Sequence, residues 1–345
     1  MDKRSMKQAQ VIQPGLIQYV DVENLTSEQL EDNEILLKIH TIGICGSDIH
    51  VMHGQHPAVT YPVIQGHEYG STVVAIGKSV TKVKPGDKAT ARPQLVCGEC
   101  VLCKKGRYNV CQNLRIQGFQ APGVAQSHFI VPEDRIIKVD NNLPFDKIAM
   151  IEPCAVGAHA TARADLVGKN VLVAGAGTIG NLIAQFAKIR GANKVMITDV
   201  NDYRLGIAKQ CGIDAVQNVS DPSHEEKINR FFGKEGFQVG FEAAGAQSSL
   251  NLLLKKIEKG GEIVIVGVYA ENPQVNMYYL GEHELKLIGT LMYLHEDYLE
   301  AARAIISNQI LLDPLISKHI PFDNYMEAYR FIEKENSMKV IIDLE

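Results

Sequence analysis

Apolar positions fall into two regimes along this chain. Through residue 140 they come in brief stretches broken by glycine and proline. Ile35 to Ile39, Ser71 to Ile76, Ala125 to Val131 and Arg135 to Val139 read as strands, with turns at Pro14-Gly15 and Val83-Lys-Pro-Gly86. Short strands with such turns predict a compact, partly closed β-barrel. A helical stretch begins at Ile148, and beyond it the period changes. Val171 to Ala174 is an apolar run of the kind buried on both faces of a sheet. Ile179, Leu182, Ile183 and Phe186 follow at helical spacing, Gly191 supplies a stop, and Lys194 to Thr198 reads as a second strand ending at Asp199. Helices over Arg204–Gln210, His224–Phe232 and Ser248–Ile257 then alternate with strands over Ala215–Asn218, Phe237–Glu242, Ile263–Val266 and Leu285–Ile288. Six strands with helical crossovers predict a doubly wound parallel sheet. The tail (a helix from Asp297, a strand over Leu315–Ile320, a helix over Tyr325–Ile332 and a strand over Lys339–Leu344) lies outside that count and is expected to return to the first domain.

The 345-residue length leaves room for two domains, each burying its own core. A 46% hydrophobic and 22% charged composition is that of a soluble globular protein. A net charge of −5 with no long basic run argues against nucleic acid or an anionic membrane as partner. Met1 to Val20 holds Lys3, Arg4 and Lys7 but no apolar core, unlike a signal peptide. No apolar run reaches the roughly 18 residues of a membrane span. Seven cysteines, four of them between 97 and 111, suggest a metal site in a reducing compartment, hence a cytoplasmic protein.

Gly175, Gly177 and Gly180 form G-x-G-x-x-G between the first parallel strand and its helix. These glycines allow a tight turn, close backbone approach to a pyrophosphate and close helix–strand packing, while the helix N-terminus offers N–H groups to phosphate. Asp199 is placed to accept from an adenosine ribose. The cofactor-facing set is Gly175, Gly177, Thr178, Ile179, Gly180, Asp199, Arg204 and Val266, with NAD expected, because Asp199 repels a 2′-phosphate.

Two stretches carry metal chemistry. Cys97, Cys100, Cys103 and Cys111 give C-x₂-C-x₂-C-x₇-C, which suits one closed, structural zinc. Three thiols competing in one loop disfavour a disulfide, and the x₇ gap departs from ferredoxin spacing. Lys104, Lys105 and Arg107 beside them read as a solvated face. Earlier, Gly43-Ile-Cys-Gly-Ser-Asp-Ile-His50 and Gly66-His-Glu68 gather a thiol, a hydroxyl, carboxylates and imidazoles. Cys45 and His67 are zinc-type ligands, with Glu68 or Glu152 to complete the set, although spacing alone leaves this open. His53 and His56 read as solvated loop histidines.

Together these motifs make the chain resemble the zinc-dependent medium-chain alcohol dehydrogenases, in the branch of sorbitol, threonine and 2,3-butanediol dehydrogenases. The resemblance covers essentially the whole chain. It implies a GroES-like catalytic domain over 1–153 and 292–345 and a Rossmann NAD-binding domain over 154–291. It implies two zinc ions, a structural one at the four cysteines and a catalytic one at Cys45 and His67. Glu68 and Glu152 hold that metal directly or through its water. Asp48 matches a partner of the zinc histidine, and Ser47 and His50 match a proton relay. The implied reaction is reversible hydride transfer between NAD and a secondary alcohol, diol or polyol, in a homotetramer or homodimer.

One departure separates the chain from the sorbitol enzymes: Met292-Tyr293 stands where they carry Arg-Tyr. Losing a guanidinium removes donors for a polyhydroxylated substrate. The segment Gly289–Tyr298 is closer to the butanediol enzymes, which points to a short vicinal diol. The alternatives are a threonine-type amino-alcohol dehydrogenase, or a zinc-stapled, non-catalytic protein that senses nucleotides or binds nucleic acid. Retention of Cys45, Ser47, His50, His67 and Glu152 argues against the last, since a pure binder needs no open zinc site.

Overall fold

The computed structural model describes residues 5–344, so Lys3 and Arg4 of the polar N-terminal stretch lie outside the described residues. The chain divides into two units. One runs through Glu152 and takes in Leu294–Ile306 and the chain from Ile316; the other holds Pro153–Tyr293 and Ser307–Leu315. Among the described residues no helix is long and apolar enough to cross a membrane.

The first unit is built on a seven-stranded sheet. In spatial order six of its strands are Ile316–Pro321, Lys339–Asp343, Glu34–Gly43, Glu68–Ile76, Lys88–Ala91 and Ile136–Lys138, and the seventh, His128–Pro132, branches from Glu34–Gly43. The strand Glu34–Gly43 organises it. One edge pairs along its length with Glu68–Ile76; the other pairs with His128–Pro132 over residues 34–38 and with Lys339–Asp343 over residues 41–43. The tail therefore returns here, as expected. A hairpin, Ser5–Gln13 with Leu16–Glu23, turns at Pro14-Gly15, and Ile35, Leu37, Ile39, Ile42, Tyr69 and Val73 fill the core. Leu36 is buried as well, so the strand does not alternate cleanly: partners cover both of its faces.

The second unit is a six-stranded parallel sheet in the order Ala215–Asn218, Lys194–Asp199, Asn170–Ala174, Val239–Glu242, Glu262–Ile265 and Lys286–Gly289. In chain order this is 3-2-1-4-5-6, the Rossmann arrangement, with its switch point beside Asn170–Ala174. Apolar clusters cover both faces, which explains why all five residues of Asn170–Ala174 are buried. A short helix, Met277–Glu282, capped by the Asn276 side chain, lies where the sequence offered no helical period.

Candidate functional site

The first unit assembles a thiol–imidazole–carboxylate cluster from two neighbouring strand ends. The antiparallel register sets Gly43 opposite Glu68, so the residues just past one strand and just before the other converge. Ligand atoms of Cys45, His67 and Glu68 all lie within 4.8 Å of one another. Cys45 is half-buried at the start of the helix Gly46–Met52, while His67 and Glu68 are buried. Glu152, in the first turn of the helix Ile151–Thr161, is also buried and acts electrostatically on His67, but it is not in this tight group.

The surroundings are strongly anionic. Burial pulls the His67 pKa down, yet Asp48, Cys45 and Glu152 outweigh it and hold the imidazole up to about 10. Burial pushes the Asp48 carboxyl up, against the pull of His67 and the Cys45 N–H. The Cys45 N–H donates to Asp48 Oδ2 at 2.9 Å, and Asp48 Oδ1 stands 3.8 Å from His67 Nδ1, a buried nitrogen with no hydrogen-bond partner. A soft donor pair in an anionic pocket, with one imidazole nitrogen turned to a carboxylate, fits zinc at the other.

Lys339 was not anticipated as part of this site. Its Nζ donates to both Glu68 oxygens, at 2.7 and 2.6 Å, and to the Ile44 carbonyl at 2.9 Å. Burial works against its charge, but Glu68 and Cys45 keep the pKa above the ordinary lysine value. Its only signal in the sequence was one charge heading the apolar run Val340-Ile-Ile342.

Ser47 and His50 sit three residues apart on the helix that Cys45 begins, on neighbouring positions of one face. Ser47 is half-buried and His50 exposed, with His50 Nδ1 3.5 Å from Gln55 Oε1. The solvated reading of the loop histidines holds for exposed His53 and needs correcting for His56. His53 pairs with Glu333 at 2.7 Å, and half-buried His56 stacks on Phe119, with ring centroids 4.7 Å apart. Phe119 also meets the His67 ring at 5.0 Å.

The four-cysteine lobe closes as its spacing predicts. The ligand sulfurs of Cys97, Cys100, Cys103 and Cys111 lie within 4.8 Å of one another, and every cysteine in the chain is a free thiol. Backbone N–H groups point at these sulfurs, as in Cys100 N to Cys97 Sγ and Cys103 N to Cys100 Sγ, each at 3.4 Å. The Cys103 N–H is the largest influence drawing the Cys100 thiol down to about 6, whereas burial and then the Cys100 side chain push Cys103 up to about 12. Thiols this close cannot all ionise without a cation, so the donor set fits a closed zinc site.

In the second unit the glycine turn lies at the carboxyl end of Asn170–Ala174, leading into the helix Thr178–Ile189. Gly175 has φ +110, and a side chain there would meet the backbone of Ala243 at 2.8 Å; one at Gly180 would overlap the Gly175 carbonyl. A Cβ at Gly177 meets nothing, leaving that face open for close ligand approach. Asp199 accepts from Ala176 N at 2.7 Å and Asn201 N at 2.9 Å, which ties the acid to the turn. Thr178 and Ile179 open the helix, and Arg204 is exposed near the start of Asp202–Gln210. Half-buried Val266 follows Glu262–Ile265 and donates its N–H to the Glu242 carbonyl. The fully buried Glu242, unforeseen from sequence, accepts from Ala244 N, Gly245 N and Ser249 Oγ and so fixes the neighbouring loop.

Residues 31–141 match the alcohol dehydrogenase GroES-like domain, and residues 178–307 match the zinc-binding dehydrogenase domain. The chain is 31% identical to the L-threonine 3-dehydrogenase of Proteus mirabilis, over 91% of this chain and 93% of that protein. Galactitol-1-phosphate dehydrogenase from Escherichia coli shares 28% identity and superposes with a TM-score of 0.90, covering 98% of this chain and all of that one. A putative zinc-binding dehydrogenase from Sinorhizobium meliloti bound to NADP is 28% identical with a TM-score of 0.89, over 99% and 100% of the two chains.

Proposed function

The chain belongs to the zinc-dependent medium-chain alcohol dehydrogenases, nicotinamide-dependent enzymes acting on a CH–OH group, and we propose that it oxidises a short vicinal diol with NAD. The observation that carries this reading is the Cys45–His67–Glu68 cluster at the start of the helix bearing Ser47 and His50. When bound, zinc supplies a Lewis acid that makes the substrate hydroxyl more acidic, and the nicotinamide accepts the hydride. Cys45 and His67 hold the metal, with Glu68 and Glu152 as the carboxylates that attend it. Ser47 Oγ takes up the hydroxyl proton, and exposed His50 passes it to solvent. Cys97, Cys100, Cys103 and Cys111 hold a second zinc that staples their loop. Gly175, Gly177, Thr178, Ile179, Gly180, Arg204 and Val266 line the dinucleotide, and Asp199 accepts from its ribose.

Met292, where the sorbitol enzymes carry arginine, supplies no donor for a third or fourth hydroxyl, which favours 2,3-butanediol over sorbitol. A second reading, an amino-alcohol substrate, is favoured by the similarity to the Proteus mirabilis threonine enzyme. Reduced-nicotinamide absorbance with 2,3-butanediol, sorbitol, L-threonine and ethanol separates the readings. Highest kcat/KM for the diol supports the first, for threonine the second, and for sorbitol neither.

We further propose a cytoplasmic homodimer or homotetramer, with the barrel unit as catalytic domain and the parallel-sheet unit as NAD-binding domain. The seven free thiols suit a reducing compartment. Lys286–Gly289 is an edge strand of the parallel sheet, and Val268, Met277, Tyr278 and Leu291 are exposed apolar side chains of the same unit. Light scattering of the purified protein gives the oligomer size.

A further inference from the structure

Asp48 is backed by a second pair of side chains. Gln65 Nε2 donates to the Asp48 carbonyl at 3.1 Å and stands 3.4 Å from Asp48 Oδ1. Gln65 Oε1 accepts from the Tyr329 hydroxyl at 2.6 Å. Asp48, Gln65 and Tyr329 are all at least 98% buried. Tyr329 comes from the helix Tyr325–Lys334, and its ring packs edge-on to Tyr325, with centroids 5.9 Å apart.

From this chain of contacts we infer that Gln65 and Tyr329 are positioning residues that hold Asp48 against His67 and thereby set how tightly the catalytic zinc is kept. The inference rests on the reading of Cys45 and His67 as zinc ligands. A carboxamide has a donor end and an acceptor end, and only one orientation helps Asp48. The Tyr329 hydroxyl, by occupying Oε1, turns the Gln65 NH₂ towards Asp48. That donor fixes the Asp48 carbonyl and approaches its carboxylate from one side, while the Cys45 N–H holds the other oxygen. Asp48 then faces His67 Nδ1, the contact that selects the tautomer and ring orientation of a metal-ligating histidine. A glutamine with no exposed surface has a large desolvation cost, and the two hydrogen bonds to Asp48 and Tyr329 are what offset it.

The test uses the full-length, zinc-loaded protein with Gln65→Met and Tyr329→Phe, singly and together. Removing a carboxylate partner of a zinc histidine typically weakens metal binding about 10–100-fold. One contact further out, each single variant is expected to release one of its two zinc ions to a chelator about 3–30-fold faster than the parent. The zinc of the four-cysteine lobe serves as internal reference and leaves at the parental rate. Cobalt placed in the faster site is expected to show a shifted visible band. Because the two residues act in series, the double variant should resemble the worse single one. Parental release rates with an unshifted cobalt band would overturn the inference. So would losses that add up and affect both metals equally, the mark of general loosening. If the parent itself holds one zinc, the two-metal reading fails instead. Tyr329→Phe deletes a single oxygen, so it carries the test alone should Gln65→Met not fold.

Discussion

Lys339 and Glu68 form a buried ion pair in which one ammonium serves both carboxylate oxygens. Breaking such a pair on one side leaves a buried charge alone, at about 3–5 kcal/mol. Lys339→Met is therefore expected to lower the unfolding free energy by about that much. Adding Glu68→Leu removes the orphaned charge and should restore a large part of the loss. Urea unfolding of the three variants measures the coupling, and strictly additive effects would contradict the pairing.

The two metal sites should separate by mutation. Cys45→Ser is expected to lose one zinc and all turnover while keeping the fold. Cys97→Ser should lose the other zinc and lower the unfolding midpoint, because a closed thiolate site contributes folding energy. Elemental analysis finding one zinc or fewer in well-folded, unstripped parent protein would sink the two-site assignment.

Acidity should act oppositely on the stripped and loaded protein. Without metal, His67 holds its proton up to about 10, against an ordinary 6.5. A raised pKa contributes stability that is complete below 6.5 and lost as pH rises towards 10. The His67 contribution to the stability of chelator-stripped protein, read as the difference between the parent and His67→Gln, is thus expected to shrink between pH 7 and 9.5. Zinc must displace that proton, so its affinity should rise over the same range, with at least one proton released per metal bound. Calorimetry in buffers of different ionisation heat counts the protons.

On the proposed reading Asp199 has two tasks, and its replacement should show both. Asp199→Ser removes the charge that repels a 2′-phosphate, so the kcat/KM ratio of NADP to NAD is expected to rise about 10–100-fold. It also frees Ala176 N, which loosens the glycine turn and raises the KM for NAD. Initial rates with both cofactors decide this, and an unchanged ratio would refute the role.

Met292 adopts φ +51, a conformation costly for a residue with a side chain. Met292→Arg is expected to raise kcat/KM for sorbitol relative to 2,3-butanediol by about tenfold, the worth of one charged hydrogen bond. Unaltered relative rates would remove this position from the account of specificity.

What the sequence revealed was local. The glycine turn, the four cysteines and the Cys45–His50 segment each lie within a single short stretch, where spacing alone restricts geometry. The parallel sheet was legible for a similar reason, since each strand and crossover carries its own period. Lys339, Gln65 and Tyr329 were opaque because their partners lie 271, 17 and 264 residues away. A buried lysine or glutamine looks like a surface one until the group that satisfies it is located. His56 was misread because stacking on Phe119, not its own neighbours in the chain, sets its environment. Met277–Glu282 was missed because a helix this short rests on its Asn276 cap more than on any period.

The tail strand that pairs with residues 41–43 imposes an order of assembly during synthesis. The four-cysteine lobe takes all four of its sulfurs from residues 97–111. Cys45, His67 and Glu68 also emerge early, but Lys339 and Tyr329, which steady them, are translated only after the whole parallel-sheet unit. A nascent chain halted before residue 325 can close its cysteine loop around zinc, yet must carry Glu68 without its counter-ion.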